Sequence, residues 1–97
     1  MKKLRIRDSF LDYRDVLWNR EPFYSADTLW GIQGFSTRGK LPELYWDALV
    51  HMNPEYTVYS YKTPIAWYSD GVWIIPHIRY STTTSARQNK IRAAVGE

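Results

Sequence analysis

The segment from Arg79 to Arg92 concentrates side chains that could bind an anion. Five consecutive hydroxyl residues occupy positions 81–85, basic residues surround them, and no acidic residue interrupts the segment. Hydroxyl groups and the free amides of a helix N-terminus donate hydrogen bonds to phosphate or carboxylate oxygens, and arginine and lysine supply positive charge. The predicted anion-binding residues are Arg79, Ser81, Thr83, Thr84, Ser85, Arg87, Gln88, Lys90 and Arg92.

The same segment predicts a helix that begins near Ala86 and ends at Gly96. Ser85 and Gln88 have the spacing of a capping box, in which a hydroxyl residue is followed three positions later by glutamine. A purely structural alternative stays open, because Thr84 or Ser85 could serve only as the helix cap while the basic face is solvated. A cap needs one hydroxyl and the segment has five, which favours the anion site.

Aromatic residues indicate a second kind of contact. The chain has 16% aromatic residues, and several of them fall within positions 56–80. Bases of single-stranded nucleic acid stack on exposed aromatic rings that are interleaved with basic residues. We therefore expect Tyr59, Tyr61 and Tyr68 to form an exposed aromatic face of a sheet beside Lys62 and Arg79. The alternative is that these rings supply the core of a small domain.

Catalytic and metal-binding patterns are absent from the sequence. The chain has no cysteine, no glycine-rich phosphate loop and no Gly-x-Ser-x-Gly motif. His51 lies at the end of a helical pattern and His77 follows a proline at a strand end, so the two could contribute to a metal site only with carboxylates brought from elsewhere in the chain. Asp8, Asp12 and Asp15 are typical of a solvated helix start. We expect no catalytic residue, no metal and no cofactor, and a protein that is not an enzyme.

Two helices and one strand are expected before position 56. A helix over residues 9–20 has an apolar stripe and ends at Glu21-Pro22, because the residue before a proline avoids the helical region. A strand within residues 27–33 and a loop over 34–40 follow. A second helix over residues 41–52 has Pro42 in its first turn. Its predicted core face consists of Leu41, Leu44, Tyr45, Ala48, Leu49 and Met52.

The region after position 56 predicts an antiparallel β-meander. Three apolar runs at 56–61, 65–68 and 72–76 are separated by turn signals at Lys62-Thr63-Pro64 and Ser69-Asp70-Gly71. Alternation along the second run predicts that Ile65 and Trp67 face away from Ala66 and Tyr68. The expected fold class is therefore α+β, a small antiparallel meander of three to four strands packed with two or three helices.

Chain length and the length of the apolar runs limit the number of domains and the location of the protein. A chain of 97 residues forms one domain, because two cores would each bury too little surface, and we expect residues 1–97 to be that domain with residues 1–7 as a flexible basic N-terminus. No apolar run approaches the roughly 20 residues that cross a bilayer, so we expect a cytoplasmic protein without membrane contact.

Four stretches of the sequence resemble segments of a known protein family. They are Asn-Arg-Glu-Pro-Phe at 19–23, Gly-Lys-Leu-Pro at 39–42, Val-Tyr-Ser-Tyr-Lys-Thr-Pro-Ile-Ala-Trp at 58–67, and Tyr-Ser-Thr-Thr-Thr-Ser with Gln88 at 80–88. Together they resemble a family of short uncharacterised proteins from actinobacteria and their phages and plasmids. A histidine often precedes the glutamine in that family, whereas this chain has Arg87. The resemblance implies a mobile-element context and no catalytic activity.

Two functions compete at this point. The first is nucleic-acid binding through the hydroxyl-rich and basic segment, which the sequence pI near 9.3 and net charge of +3 favour. The alternative is a protein-interaction module that binds and modulates a host protein through exposed tryptophan and tyrosine side chains. The sequence favours nucleic acid by a narrow margin.

Overall fold

The computed structural model describes residues 2–5, 10–25, 28–35, 39, 41–77 and 81–96. These residues form one mixed sheet with helices on both faces. The strands are β1 (Lys2–Lys3), β2 (Phe23–Ser25), β3 (Leu29–Gln33), β4 (Tyr56–Ser60), β5 (Thr63–Ser69) and β6 (Val72–Ile74). The helices are α1 (Phe10–Trp18), α2 (Trp46–Met52) and α3 (Thr82–Val95), and a 3₁₀ turn (Glu43–Tyr45) leads into α2.

The order of the strands in the sheet follows the chain. Strands β2 to β6 pair with their sequence neighbours in antiparallel fashion, and the two-residue β1 adds to the edge of β2 in parallel. The α+β class is thereby confirmed, and the antiparallel part has five strands, slightly more than expected. The sequence missed β2 because it is only three residues long and has no periodic pattern of its own. Lys2–Lys3, expected in a flexible terminus, form β1.

The larger core lies between the sheet and the helices α1 and α3. Helix α1 contributes Tyr13, Val16 and Leu17, and α3 contributes Ile91 and Ala94. All five side chains are almost fully buried, so most of the apolar burial that stabilises the fold occurs on this face. They pack against sheet residues that include Phe23, Tyr56, Val58 and Ala66.

The smaller core lies on the opposite face, under α2. Leu41 and Leu49 pack on Trp67, which confirms that the meander packs against the 41–52 segment. Leu44, expected in this core, is instead 78% exposed, so that prediction is wrong. The segment begins with a 3₁₀ turn at Glu43–Tyr45, and a 3₁₀ turn advances about 120° per residue, so it shifts the phase of the apolar stripe relative to a continuous α-helix.

A β-bulge in β5 corrects a second prediction. Val58 pairs with Ala66 but Tyr59 pairs with Pro64, so Ile65 is an extra residue in β5. Because a bulge interrupts the alternation of side chains, Ile65 joins Ala66 in the larger core instead of facing away from it. Pro64 fits this position because a proline without an N–H is tolerated at a bulge. The expected turn over residues 62–64 is instead a two-residue turn at Tyr61 and Lys62, and Thr63 and Pro64 belong to β5.

Helix α3 begins four residues earlier than expected. Ser81 is its N-cap, and the Ser81 hydroxyl accepts a hydrogen bond of 3.3 Å from the Thr84 amide. The predicted start near Ala86 and the predicted Ser85 cap are wrong, because Ser81 satisfies the first free amides and the next four hydroxyl residues are helical. Gly96, with φ 87°, ends the helix as predicted. No helix in the described part of the chain is long and apolar enough to cross a membrane.

Candidate nucleic-acid interface

Arg87 joins helix α3 to the ends of β3 and β4. Its Nη1 donates to the Thr28 carbonyl at 3.2 Å and to the Ser60 hydroxyl at 2.9 Å, and its Nη2 donates to the Thr28 hydroxyl at 2.9 Å. Only 8% of its surface is exposed. The guanidinium group is therefore held rigidly by three hydrogen bonds to two different strand ends.

The acceptors around Arg87 are all uncharged. Its Nε is buried and finds no hydrogen-bond partner among the described residues, and no described carboxylate bonds to the guanidinium. A buried cation is costly unless an opposite charge or a full set of hydrogen bonds compensates it. Among the described residues, this fixed positive charge has no carboxylate partner, and a bound anion would supply a negative one.

A shallow groove opens beside this charge. It has a volume of about 130 Å³ and is lined by Thr83, Ala86, Arg87 and Lys90, which follow one another along a single face of α3. The Lys90 ammonium lies 4.9 Å from the centre of the Tyr13 ring on α1. Three of the predicted anion-binding residues, Thr83, Arg87 and Lys90, therefore share one surface.

The hairpin between β4 and β5 brings an aromatic residue to this surface, and an exposed basic residue follows it in the chain. Tyr61 and Lys62 form its tip, where Ser60 pairs with Thr63. Both tip residues are exposed, and the Tyr61 ring faces Arg87, whose guanidinium carbon lies 5.1 Å from the ring centre. We define the α3 groove site as Tyr61, Lys62, Thr83, Arg87 and Lys90.

The other predicted anion-binding residues have different partners. Ser81 caps the helix, and the buried Thr84 hydroxyl lies 3.1 Å from the Ser60 hydroxyl. Gln88 is buried and donates to the carbonyls of Ile65 and Pro76. The sheet therefore already uses the polar groups of Thr84 and Gln88, and neither residue lines the groove.

The remaining predicted residues of the segment lie away from the groove or outside the described part of the chain. Arg92 donates to the Pro76 carbonyl at 3.1 Å and to the side chain of Asn89 at 3.2 Å. Ser85 is half-buried inside the helix. Arg79 lies outside the described residues, so its predicted role is not decided by the structure.

The expected aromatic face does not form. Tyr59 is fully buried and stacks on Trp30 of the neighbouring strand, with ring centres 5.7 Å apart. Tyr68 packs against the larger core and contacts Trp73. Contacts with neighbouring strands thus cover two of the three predicted rings, and the Arg20 guanidinium lies 4.5 Å from the centre of the Tyr68 ring. Of the three, Tyr61, 56% exposed at the hairpin tip, remains accessible for stacking.

Sequence reasoning missed the residues that hold Arg87 in place. Thr28 and Ser60 each accept hydrogen bonds from its guanidinium group. Ser60 stands inside an apolar and aromatic strand and is almost fully buried, and a polar residue at such a position needs a partner. That mismatch was the one signal in the sequence that pointed to a buried polar contact here.

Tyr56 is the titratable residue with a clearly shifted pKa in the described part of the chain. Burial, with a smaller contribution from the charge of Glu21, raises the pKa of Tyr56 far above its ordinary value. The Tyr56 hydroxyl donates to the Glu21 carbonyl at 2.7 Å, so this tyrosine is a neutral core residue. Within the described ranges, no three histidine, aspartate or glutamate side chains lie close enough together to hold a metal ion.

The comparison with known proteins identifies a family but no relative of assigned role. The model of a family of unknown function, DUF8033, matches residues 14–94. No curated protein and no solved structure matches the chain. The matched range contains α1 from its second turn, the whole antiparallel sheet and all but the last residue of α3. The α3 groove site therefore lies inside the part of the chain that defines the family.

Proposed function

This chain belongs to the DUF8033 family of unknown function, so its role has to come from its own geometry, and we propose that it binds nucleic acid through the phosphate backbone. The α3 groove site is the proposed contact surface. Its Thr83 supplies a hydroxyl donor, and Lys62, Arg87 and Lys90 supply positive charge. Phosphate contacts of this kind position a protein on nucleic acid without reading the base sequence.

The fixed charge of Arg87 is the observation that carries this proposal. Its guanidinium group is buried, bonded only to uncharged acceptors among the described residues, and borders the groove. Charges in a partly buried setting interact more strongly than charges in water, because the local dielectric constant is lower. A phosphate in the groove would gain this interaction without the entropic cost of ordering the arginine side chain.

The overall charge favours the same partner. The chain carries a net charge of +3, and α3 contains three basic residues and no acidic residue. A basic surface of this kind attracts polyanions before specific contacts form. We place the binding in the cytoplasm, in a cell that carries a phage or plasmid, as the resemblance implies, and we propose binding without catalysis.

Salt-dependent binding tests the proposal. Fluorescence anisotropy with labelled RNA, single-stranded DNA and duplex DNA should give a log–log salt slope of about −2 to −3, as expected for three phosphate contacts. The double variant K62E/K90E should weaken binding to all three and flatten the slope by about 1.5. No binding to any of the three at low salt would contradict the proposal.

A charge-compensated variant separates local contact from overall charge. Glu43 and Asp47 are exposed at the start of the α2 segment, on the opposite face of the sheet. The quadruple variant K62E/K90E/E43K/D47K has the net charge of the native chain, so it should bind as weakly as K62E/K90E if the groove makes the contacts. Restored binding would mean that only the overall charge matters, and it would overturn the assignment of the site.

One observation favours protein binding as a second candidate function. Leu11 and Trp18 lie seven residues apart on one stripe of α1, each about half exposed, and the Arg14 guanidinium lies 4.8 Å from the Trp18 ring. Exposed tryptophan and arginine side chains are enriched among residues that dominate protein interfaces. A host protein is the partner that the mobile-element context suggests.

Affinity purification from a host lysate, with and without nuclease, distinguishes the two candidates. Retention of one stoichiometric protein after nuclease treatment, lost in L11A/W18A and kept in K62E/K90E, would establish protein binding. Recovery of nucleic acid alone, lost in K62E/K90E and kept in L11A/W18A, would establish the proposed function and contradict the second candidate.

A further inference from the structure

We propose that the α3 groove site prefers single-stranded nucleic acid, because one unpaired base stacks on the open face of the Tyr61 ring. This inference rests on the proposed function, since the same site would hold the neighbouring phosphate. It adds a base contact to a surface that otherwise contacts only the backbone.

Tyr61 has the geometry of a prepared stacking platform. One face of its ring is turned to the Arg87 guanidinium, 5.1 Å from the ring centre, while 56% of the residue remains exposed. Arg87 is itself fixed by hydrogen bonds to Thr28 and Ser60, and the Tyr61 amide donates to the Thr28 carbonyl at 2.9 Å. Both the backbone and the ring of Tyr61 are therefore held before any ligand arrives, which lowers the entropic cost of binding.

The backbone of the hairpin tip supports a role for its side chains. Tyr61 has φ 51° and Lys62 has φ 70°, so both lie in the left-handed region. Two-residue hairpins with this backbone favour asparagine and glycine, because larger side chains are strained there. Here the tip has a large aromatic and a long basic side chain despite that strain. Strained backbone of this type concentrates at ligand-binding sites.

Arg87 connects the Tyr61 ring to the groove. Arg87 contacts the Tyr61 ring and also lines the groove with Thr83 and Lys90. A phosphate in the groove would therefore lie beside a base on the ring. In a duplex both faces of each internal base are already stacked, so a ring at a hairpin tip can use only an unpaired or splayed base.

Affinity for a single strand relative to a duplex of the same sequence measures this preference. Native protein should bind a labelled 12-nucleotide pyrimidine strand more tightly than the matching duplex at one salt concentration. The substitution Y61A should weaken single-strand binding about 5- to 150-fold, the range found for loss of one base–aromatic stack, and weaken duplex binding much less. Phe35→Ala is the matched control, because Phe35 is also an exposed aromatic residue and lies outside the site.

A second variant keeps the test valid if Y61A folds poorly. Asparagine adopts the left-handed conformation readily, so Tyr61→Asn should raise the melting temperature while it reduces single-strand binding as Y61A does. If Y61N keeps the native ratio of single-strand to duplex affinity, base stacking on Tyr61 is wrong even though phosphate binding stands. If the native protein binds neither the single strand nor the duplex, the proposed function is wrong and this inference is wrong with it. Retention of a protein partner in the lysate experiment would then support the second candidate function.

Discussion

The two faces of the sheet are covered by helices that attach to it in different ways. Helix α3 turns polar side chains toward the sheet, where Thr84, Arg87 and Gln88 are buried and hydrogen-bonded. Helix α2 packs through Leu49 and its apolar neighbours on Trp67 and leaves Val50 exposed. A polar and basic helix can thus attach to a sheet through side-chain hydrogen bonds as well as apolar packing, because the underlying strands determine which side chains find partners.

The reason lies in what each face of the sheet offers. The face under α3 has carbonyls that accept hydrogen bonds from α3 side chains, at the Ile65 bulge, at Pro76 after β6 and at Thr28, whose carbonyl also accepts from the Tyr61 amide. Buried carbonyls need donors, and the long side chains of Arg87 and Gln88 reach them. The face under α2 offers the ring of Trp67, which accepts apolar packing. The two cores should therefore respond differently to substitution.

Gly31→Ala should give the largest loss, on the α1 and α3 face. A Cβ at this position would overlap the Tyr56 hydroxyl and the Phe23 ring, both fully buried in the larger core. Overpacking of two rigid aromatic side chains should lower the free energy of unfolding by about 3 kcal/mol or more, measured by urea denaturation. A loss below about 1 kcal/mol would mean that the larger core is loosely packed.

Leu49→Ala tests the smaller core under α2. Leu49 is fully buried, so the substitution should lower the free energy of unfolding by about 2 to 3 kcal/mol through lost burial and a cavity. The matched control is Leu44→Ala on the same segment, which should cost less than about 0.5 kcal/mol because Leu44 is 78% exposed. Equal losses at the two positions would contradict the phase shift introduced by the 3₁₀ turn.

Gln88→Ala tests the polar anchoring of α3. The substitution leaves the Ile65 carbonyl without the donor that Gln88 provides, while the Pro76 carbonyl still accepts from Arg92. One unsatisfied buried carbonyl should cost about 1 to 3 kcal/mol, seen as a lower melting temperature. Asn89→Ala, on the exposed face of the same helix, should change stability by less than about 0.5 kcal/mol. A neutral Q88A would show that packing alone holds the helix.

Tyr56→Phe should have the smallest effect, and its sign should depend on pH. Near neutral pH the variant should lose about 1 kcal/mol with the hydrogen bond to the Glu21 carbonyl. Burial, and to a smaller extent Glu21, raises the pKa of Tyr56 in the folded protein, so above pH about 10 the unfolded chain ionises while the folded chain does not. Native stability should then fall relative to Y56F. Parallel pH profiles for the two proteins would rule out this linkage.

Local sequence patterns were enough to predict the fold class and most of the helices and strands. Apolar periodicity predicted helices over 9–20 and 41–52, where the structure has α1 at Phe10–Trp18 and a 3₁₀ turn followed by α2, and apolar runs with turn signals predicted the β4–β5–β6 meander. It also identified the basic, hydroxyl-rich segment and the end of its helix at Gly96. These features depend on residues near one another in the chain, so local propensity and spacing suffice to find them.

Which of the predicted functional side chains stay at the surface depends on the tertiary structure. Arg87 and Gln88 look equally available in the sequence, yet both are buried, and only Arg87 also borders the groove with Thr83 and Lys90. Likewise Tyr59 and Tyr61 are two residues apart, and one is covered by Trp30 while the other faces Arg87 at the hairpin tip. The physical reason is that burial depends on partners distant in the chain, here Thr28, Ser60 and the Ile65 bulge, and a local pattern carries no information about them.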